Sequence, residues 1–154
     1  MDGFAISAET LVGQAIGAKR KQNYREAVKL TSIWGVISAC VYALVFAIFG
    51  AMIIDVMSTS SDVQEASRSY LFWMVLAPLT GCAAWMLDGI FIGAVRTKEM
   101  RNMMIVSFAV YVATVAILMP MFGNHGLWAA LIIFFLIRGF TLALVFPRIE
   151  KAIG

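Results

Sequence analysis

Charge is sparse in this sequence. Only 14% of its 154 residues are Asp, Glu, Lys or Arg, against 62% hydrophobic, and the mean hydropathy is +0.88. A soluble domain of this size has too little interior to hide so much apolar surface, so a multi-span helical membrane protein is expected. Cysteine is also scarce. Cys40 and Cys82 both lie in apolar runs with no CxxC spacing, which argues against a disulfide framework or a thiolate metal site. Both read as small packing residues. The one histidine, His125, sits in a stretch rich in turn residues, where a solvated loop side chain is the default. No phosphate-binding loop, metal-ligand cluster or nucleophile–base pair is present, so no enzyme, cofactor or metal is expected. No basic stretch follows Met1 as in a secretory signal. The net charge of +3 does not point to nucleic acid, because the basic residues fall in short clusters between long uncharged runs.

What is present is a series of apolar runs. Segments at about 1–18, 30–54, 69–95, 102–119 and 127–146 predict an all-α integral membrane protein, a bundle of five transmembrane helices. The first is short, at roughly 27 Å for a full 18 residues. The second has 25 residues without a charge, about 37 Å, enough to cross with tilt. Pro78 lies inside the third and is expected to kink it. Between the runs, 19–29 and 96–101 read as basic linkers and 55–68 as a polar, acidic one. Ser61-Asp62-Val63-Gln64 suits a capping box, which starts a helix near Asp62. Residues 120–126, with Pro120 and two glycines, read as a turn. Linkers 19–29 and 96–101 and the tail 148–154 hold ten of the twelve Lys and Arg residues. Five crossings with these on the cytoplasmic side put the N-terminus outside and the C-terminus in the cytoplasm.

Four ionisable residues fall at membrane depth: Asp2, Glu9, Asp88 and Arg138. Each costs about 2.5–3.5 kcal/mol on insertion scales, so each should face a cavity or a partner. Asp2 and Glu9 are seven residues apart, two turns on one helix face, which favours a cavity. Glu9 and Arg138 fall near the midplane, and Asp88 roughly 10 Å from the cytoplasmic end of its segment. Asp88 reads either as an ion-linked carboxylate of a translocation path or as the salt-bridge partner of Arg138, the second being the plainer account. Arg138 is read as an internal counter-ion. Gln14 and Thr10 could line a cavity or bond a neighbouring helix. Gly13/Gly17 and Gly89/Gly93 are small-xxx-small pairs, read as helix-packing notches. The ten methionines are read as core filler.

Two stretches resemble a known family. Asp2-Gly3-Phe4-Ala5 followed by Ala8-Glu9-Thr10-Leu11-Val12-Gly13-Gln14-Ala15-Ile16-Gly17-Ala18 is similar to the eighth transmembrane helix of multidrug and toxic compound extrusion (MATE) transporters, in their DinF branch. Leu87-Asp88-Gly89-Ile90-Phe91-Ile92-Gly93-Ala94, then Arg96-Thr97-Lys98 and Met100-Arg101, resembles the end of the tenth helix and its following loop. The resemblance implies helices eight to twelve of a two-lobe, twelve-helix antiporter in a bacterial-type inner membrane. Such a protein exports small cationic or amphipathic compounds in exchange for H+ or Na+. It implies that the family's helix begins before Met1, so the chain is expected to be a fragment, with a half-length gene product as the alternative. Its partners would be membrane lipid and a missing N-terminal lobe and helix seven. Without them this piece is expected to be inactive. Half of a lipid-linked oligosaccharide flippase and a non-transporting assembly subunit are the competing expectations.

Overall fold

A computed structural model describes residues 2–152, and these are α-helical almost throughout. The order is α1 (Asp2–Gly17), α2 (Lys21–Met57), α3 (Ser61–Gly93), α4 (Thr97–Phe122), α5 (Asn124–Val145) and the short α6 (Pro147–Ala152). The helices outrun the apolar segments. Most of the three expected linkers is helical, because Lys, Arg, Gln and Glu continue a helix into water as readily as leucine does. Residues 120–126 are not an open turn. α4 runs through Pro120 to Phe122, and the break is Gly123 alone, at φ +58°. α3 likewise runs through Pro78 without interruption.

Among the described residues, four stretches are long and apolar enough to cross a membrane: Lys21–Met57, Ser61–Gly93, Thr97–Phe122 and Asn124–Ile149. The expected fifth, α1, has 16 residues in its helix, about 24 Å, short of the ~30 Å hydrocarbon core. The expected capping box at Ser61 is absent. Ser60 caps α3 without a side-chain bond, and Gln64 reaches back instead, its amide donating to the Ser58 carbonyl at 2.6 Å.

α1 and α3 end in the same way. Arg20 N–H donates to the Ala15 carbonyl and Lys19 N–H to that of Ile16, with Lys19 at φ +53°. Arg96 N–H donates to Phe91 and Val95 N–H to Ile92, with Val95 at φ +56°. Both are Schellman turns, which return the orphan carbonyls of a helix end to the chain. They sit in matching sequence, Gly13-x-x-Ile16-Gly17-Ala18-x-Arg20 against Gly89-x-x-Ile92-Gly93-Ala94-x-Arg96.

The core is shared by α1, α2, α3, α5 and α6, through Val12, Tyr24, Ala39, Met86, Ile90, Phe91, Leu142 and Ile149. α2 contributes mainly small residues one turn apart: Ala27, Thr31, Gly35, Ala39 and Ala43 are its buried stripe. Small side chains let neighbours approach closely, which is how helices associate in lipid. The rest of α2 presents large apolar side chains outward, Trp34 and Tyr42 among them. Cys40 is exposed on that outer face, not packed as expected, whereas Cys82 is buried.

Candidate functional site

The glycine pairs act between α1 and α3, which run parallel. A Cβ on Gly89 would meet the backbone of Ala5, with its carbonyl carbon and Cα at 3.0 Å, and one on Gly93 would lie 2.9 Å from Glu9 Cα. One on Gly13 would touch the Gly93 carbonyl oxygen at 3.4 Å. Gly17 differs, since nothing lies within 4 Å of its Cβ position. Three of the four glycines therefore set this crossing, and Gly17 does not.

That crossing presses the Ala5–Glu9–Gly13 face of α1 onto α3. Ala8, Val12 and Ala15 are buried beside it. What remains outward is a stripe at helical spacing, Gly3, Ser7, Thr10, Gln14 and Gly17, bordered by the exposed Ile6 and Leu11. Ser7 Oγ donates to the Gly3 carbonyl at 2.8 Å and Thr10 Oγ1 to that of Ile6 at 2.9 Å. Neither hydroxyl reaches a neighbouring helix. Gln14 opens onto a polar groove of about 380 Å³ with Arg20, Asn23 and Glu26. The Glu9 side chain is half-buried and has no ion-pair or hydrogen-bond partner among the described residues. The expectation that Asp2 and Glu9 share one cavity-facing side of the helix falls, for Asp2, on a side chain outside the described residues.

Asp88 and Arg138 are joined. Arg138 Nη2 donates to both carboxylate oxygens at 2.8 Å, and Nε to Oδ2 at 3.1 Å. Nη1 meets the Met104 sulfur. One guanidinium thus ties α5 to α3 and α4. The side chains are 10% and 20% exposed, so the pair is largely shielded. Beside it, between α2, α3 and α5, lies an apolar cavity of about 350 Å³ lined by Val28, Ser32, Cys82, Met86, Ile90 and Phe146, among others.

At the opposite end, His125 is exposed, as expected, but it sits in the first turn of α5 rather than in a loop, and it accepts a hydrogen bond from Trp73 of α3 at 3.0 Å. Sequence spacing gave no sign of this contact, since its members lie 52 residues apart. The Ser7 position on the α1 stripe was equally unmarked, though the i, i+4, i+7 spacing of Gly3, Ser7 and Thr10 could have exposed it.

The MatE family model matches residues 1–119. DNA damage-inducible protein F of Escherichia coli (strain K12) is 37% identical over 154 residues, 96% of this chain and 32% of that protein. The chain therefore spans about a third of the length of this curated relative. No solved structure matches it.

Proposed function

The chain belongs to the MatE family, and from that premise we propose that it forms one wall of the translocation path in a secondary active antiporter of the inner membrane. The transporter would export small cationic or amphipathic compounds in exchange for H+ or Na+. The observation that carries this reading is the exposed stripe of α1. Between the exposed Ile6 and Leu11 at its edges, Gly3, Ser7, Thr10, Gln14 and Gly17 offer lipid no large apolar side chain, and hydrocarbon has no partner for a glutamine amide. A water-filled cleft or a facing helix has. Glu9, beside this stripe and unpartnered among the described residues, is the carboxylate placed to meet a coupling ion. Asp88, committed to Arg138, is a fixed tie between helices. The facing wall would come from an N-terminal lobe and a seventh helix.

The test uses a full-length transporter containing this chain, with Cys40 and Cys82 replaced by serine. Single cysteines at Ser7, Thr10 and Gln14 should react with a membrane-impermeant maleimide, and substrate should slow the reaction at Thr10. Cysteines at Ile33 and Val41, on the outer face of α2, should stay unlabelled. Labelling of the α2 positions alone would overturn the reading. In the same background Glu9→Gln should cut gradient-driven efflux at least about tenfold, a loss of roughly 1.4 kcal/mol in the driven step. Unchanged efflux removes Glu9 from the coupling.

A further inference from the structure

Four rings gather at the end of the bundle remote from the two basic turns. Tyr70 and Trp73 come from α3, and His125 and Trp128 from α5, each pair about one turn apart. The Trp73 indole N–H donates to His125 Nδ1 at 3.0 Å. The Tyr70 ring lies 4.7 Å from the imidazole, tilted 45° to it, and 6.5 Å from the Trp128 ring at 21°. The translocation path proposed above makes no use of this cluster.

The hydrogen bond fixes the state of the imidazole. An indole nitrogen is a donor only, so Nδ1 must offer its lone pair and the neutral ring carries its proton on Nε2. An imidazolium carries protons on both nitrogens. Nδ1–H would then point at the indole N–H, donor against donor, and the contact to Trp73 is lost. A replacement lies one turn away, because a cation within about 6 Å of an aromatic face is attracted to it, and Tyr70 is already at that range. We propose that His125 is a pH-sensitive contact between α3 and α5. The neutral ring holds the Trp73 indole proton, and the imidazolium releases it and settles on Tyr70.

Few other groups compete. α3 presents Tyr70, with Glu65 and Arg68 nearer its start, and Arg68 is committed to Asp55 of α2 at 2.6 and 2.8 Å. The last turns of α4, Ile117 to Phe122, carry no titratable side chain, and the first two turns of α5 carry none besides His125. Histidine is the side chain whose charge ordinarily changes between pH 5 and 8. The Asp88–Arg138 tie lies some 20 Å further along the same helix pair, so the two contacts are separate.

The experiment follows the indole N–H signal of Trp73 by NMR. The protein is held in lipid nanodiscs, with Trp34 and Trp85 replaced by phenylalanine, and Trp73→Phe identifies the signal. Between pH 8 and pH 5 the wild-type signal should move from its hydrogen-bonded position to that of a free indole in a single titration. His125→Asn places an amide oxygen near the Nδ1 position, so its signal should stay bonded at both pH values. His125→Phe keeps a ring without an acceptor, so its signal should be free at both. A wild-type signal that is the same at pH 5 and pH 8, or that moves equally in His125→Asn, overturns the proposal. If His125→Phe fails to fold, the wild type against His125→Asn decides it.

Discussion

The Asp88–Arg138 pair shows what a charge inside the bundle requires. Either side chain alone would leave an unmatched charge in a low-dielectric setting, and the fork of the guanidinium satisfies both carboxylate oxygens at once. Arg138→Ala should therefore destabilise the protein by about 3–5 kcal/mol, because it strands Asp88. Arg138→Lys keeps the charge but loses the fork, and it should recover only part of that loss. The double change Asp88→Leu with Arg138→Met removes both charges and should be less damaging than Arg138→Ala alone. Unfolding of the four proteins in mixed micelles measures this, and a double variant that is the least stable of the set contradicts it. Part of the pair was legible beforehand. Counting along the segments put Arg138 near the midplane and Asp88 roughly 10 Å from the cytoplasmic end of its segment, and the cost of each charge made a partner necessary. The Met104 contact was not legible, because depth along a helix says nothing about which neighbour stands beside it. The exposure of His125 was legible from its place among turn residues, but for the same reason its partner Trp73, which arrives from another helix, was not.

Helix ends are where sequence and structure part most clearly. Hydropathy reports where lipid begins and ends, and that is a different boundary from the one where backbone hydrogen bonding stops. Lys21 to Lys29 is too polar for lipid yet continues α2. The stops are backbone devices, the twin Schellman turns and Gly123, and the two turns use Lys19 and Val95 where glycine is usual. A β-branched residue at φ +56° is strained, by roughly 1–2 kcal/mol. Val95 is also 82% exposed, so it contributes little packing. Val95→Asn should accordingly raise stability by about 1 kcal/mol, and a lower melting temperature for this variant would count against the strain. The glycine notches give a sharper contrast. Gly93→Ala drives a methyl into the α1 backbone and should cost about 1–3 kcal/mol. Gly17→Ala meets open space and should gain up to about 1 kcal/mol from better helix propensity. The small-xxx-small spacing marked both pairs alike. Only the crossing geometry separates Gly17 from the other three.

For the molecule as a whole, burial does not follow hydropathy. The least apolar spanning helix, α3, is the most buried, α2 and α4 are the most exposed, and α5, nearly as apolar as α2, is buried almost as far as α3. A protein folded against water would bury all of its most apolar helices. Here the apolar α2 and α4 turn their outer faces to lipid, and α3, with its glycines and Asp88, is held by α1, α2 and α5. The presence of five apolar runs could be seen from composition, but which of them is central could not, since that depends on which faces meet. The contacts do fix relative direction. Ala5 with Gly89 and Glu9 with Gly93 make α1 and α3 parallel, and Trp73 with His125 and Asp88 with Arg138 make α3 and α5 parallel. Both basic turns therefore share one end of the bundle, and residues 58–60 and Gly123 share the other. Ten of the twelve basic residues lie in the segments grouped at the first end or in the tail, a bias that should hold that end in the cytoplasm. Single cysteines at Thr59 and Asn124 should then react with an impermeant thiol reagent in intact cells, and cysteines at Lys21 and Lys98 only after permeabilisation. The reverse pattern would turn the bundle over and put the Trp73–His125 contact on the cytoplasmic side. Thr59 and Lys98 labelling from one side would break the parallel arrangement of α1, α3 and α5, and with it the crossing that leaves the polar stripe of α1 outward.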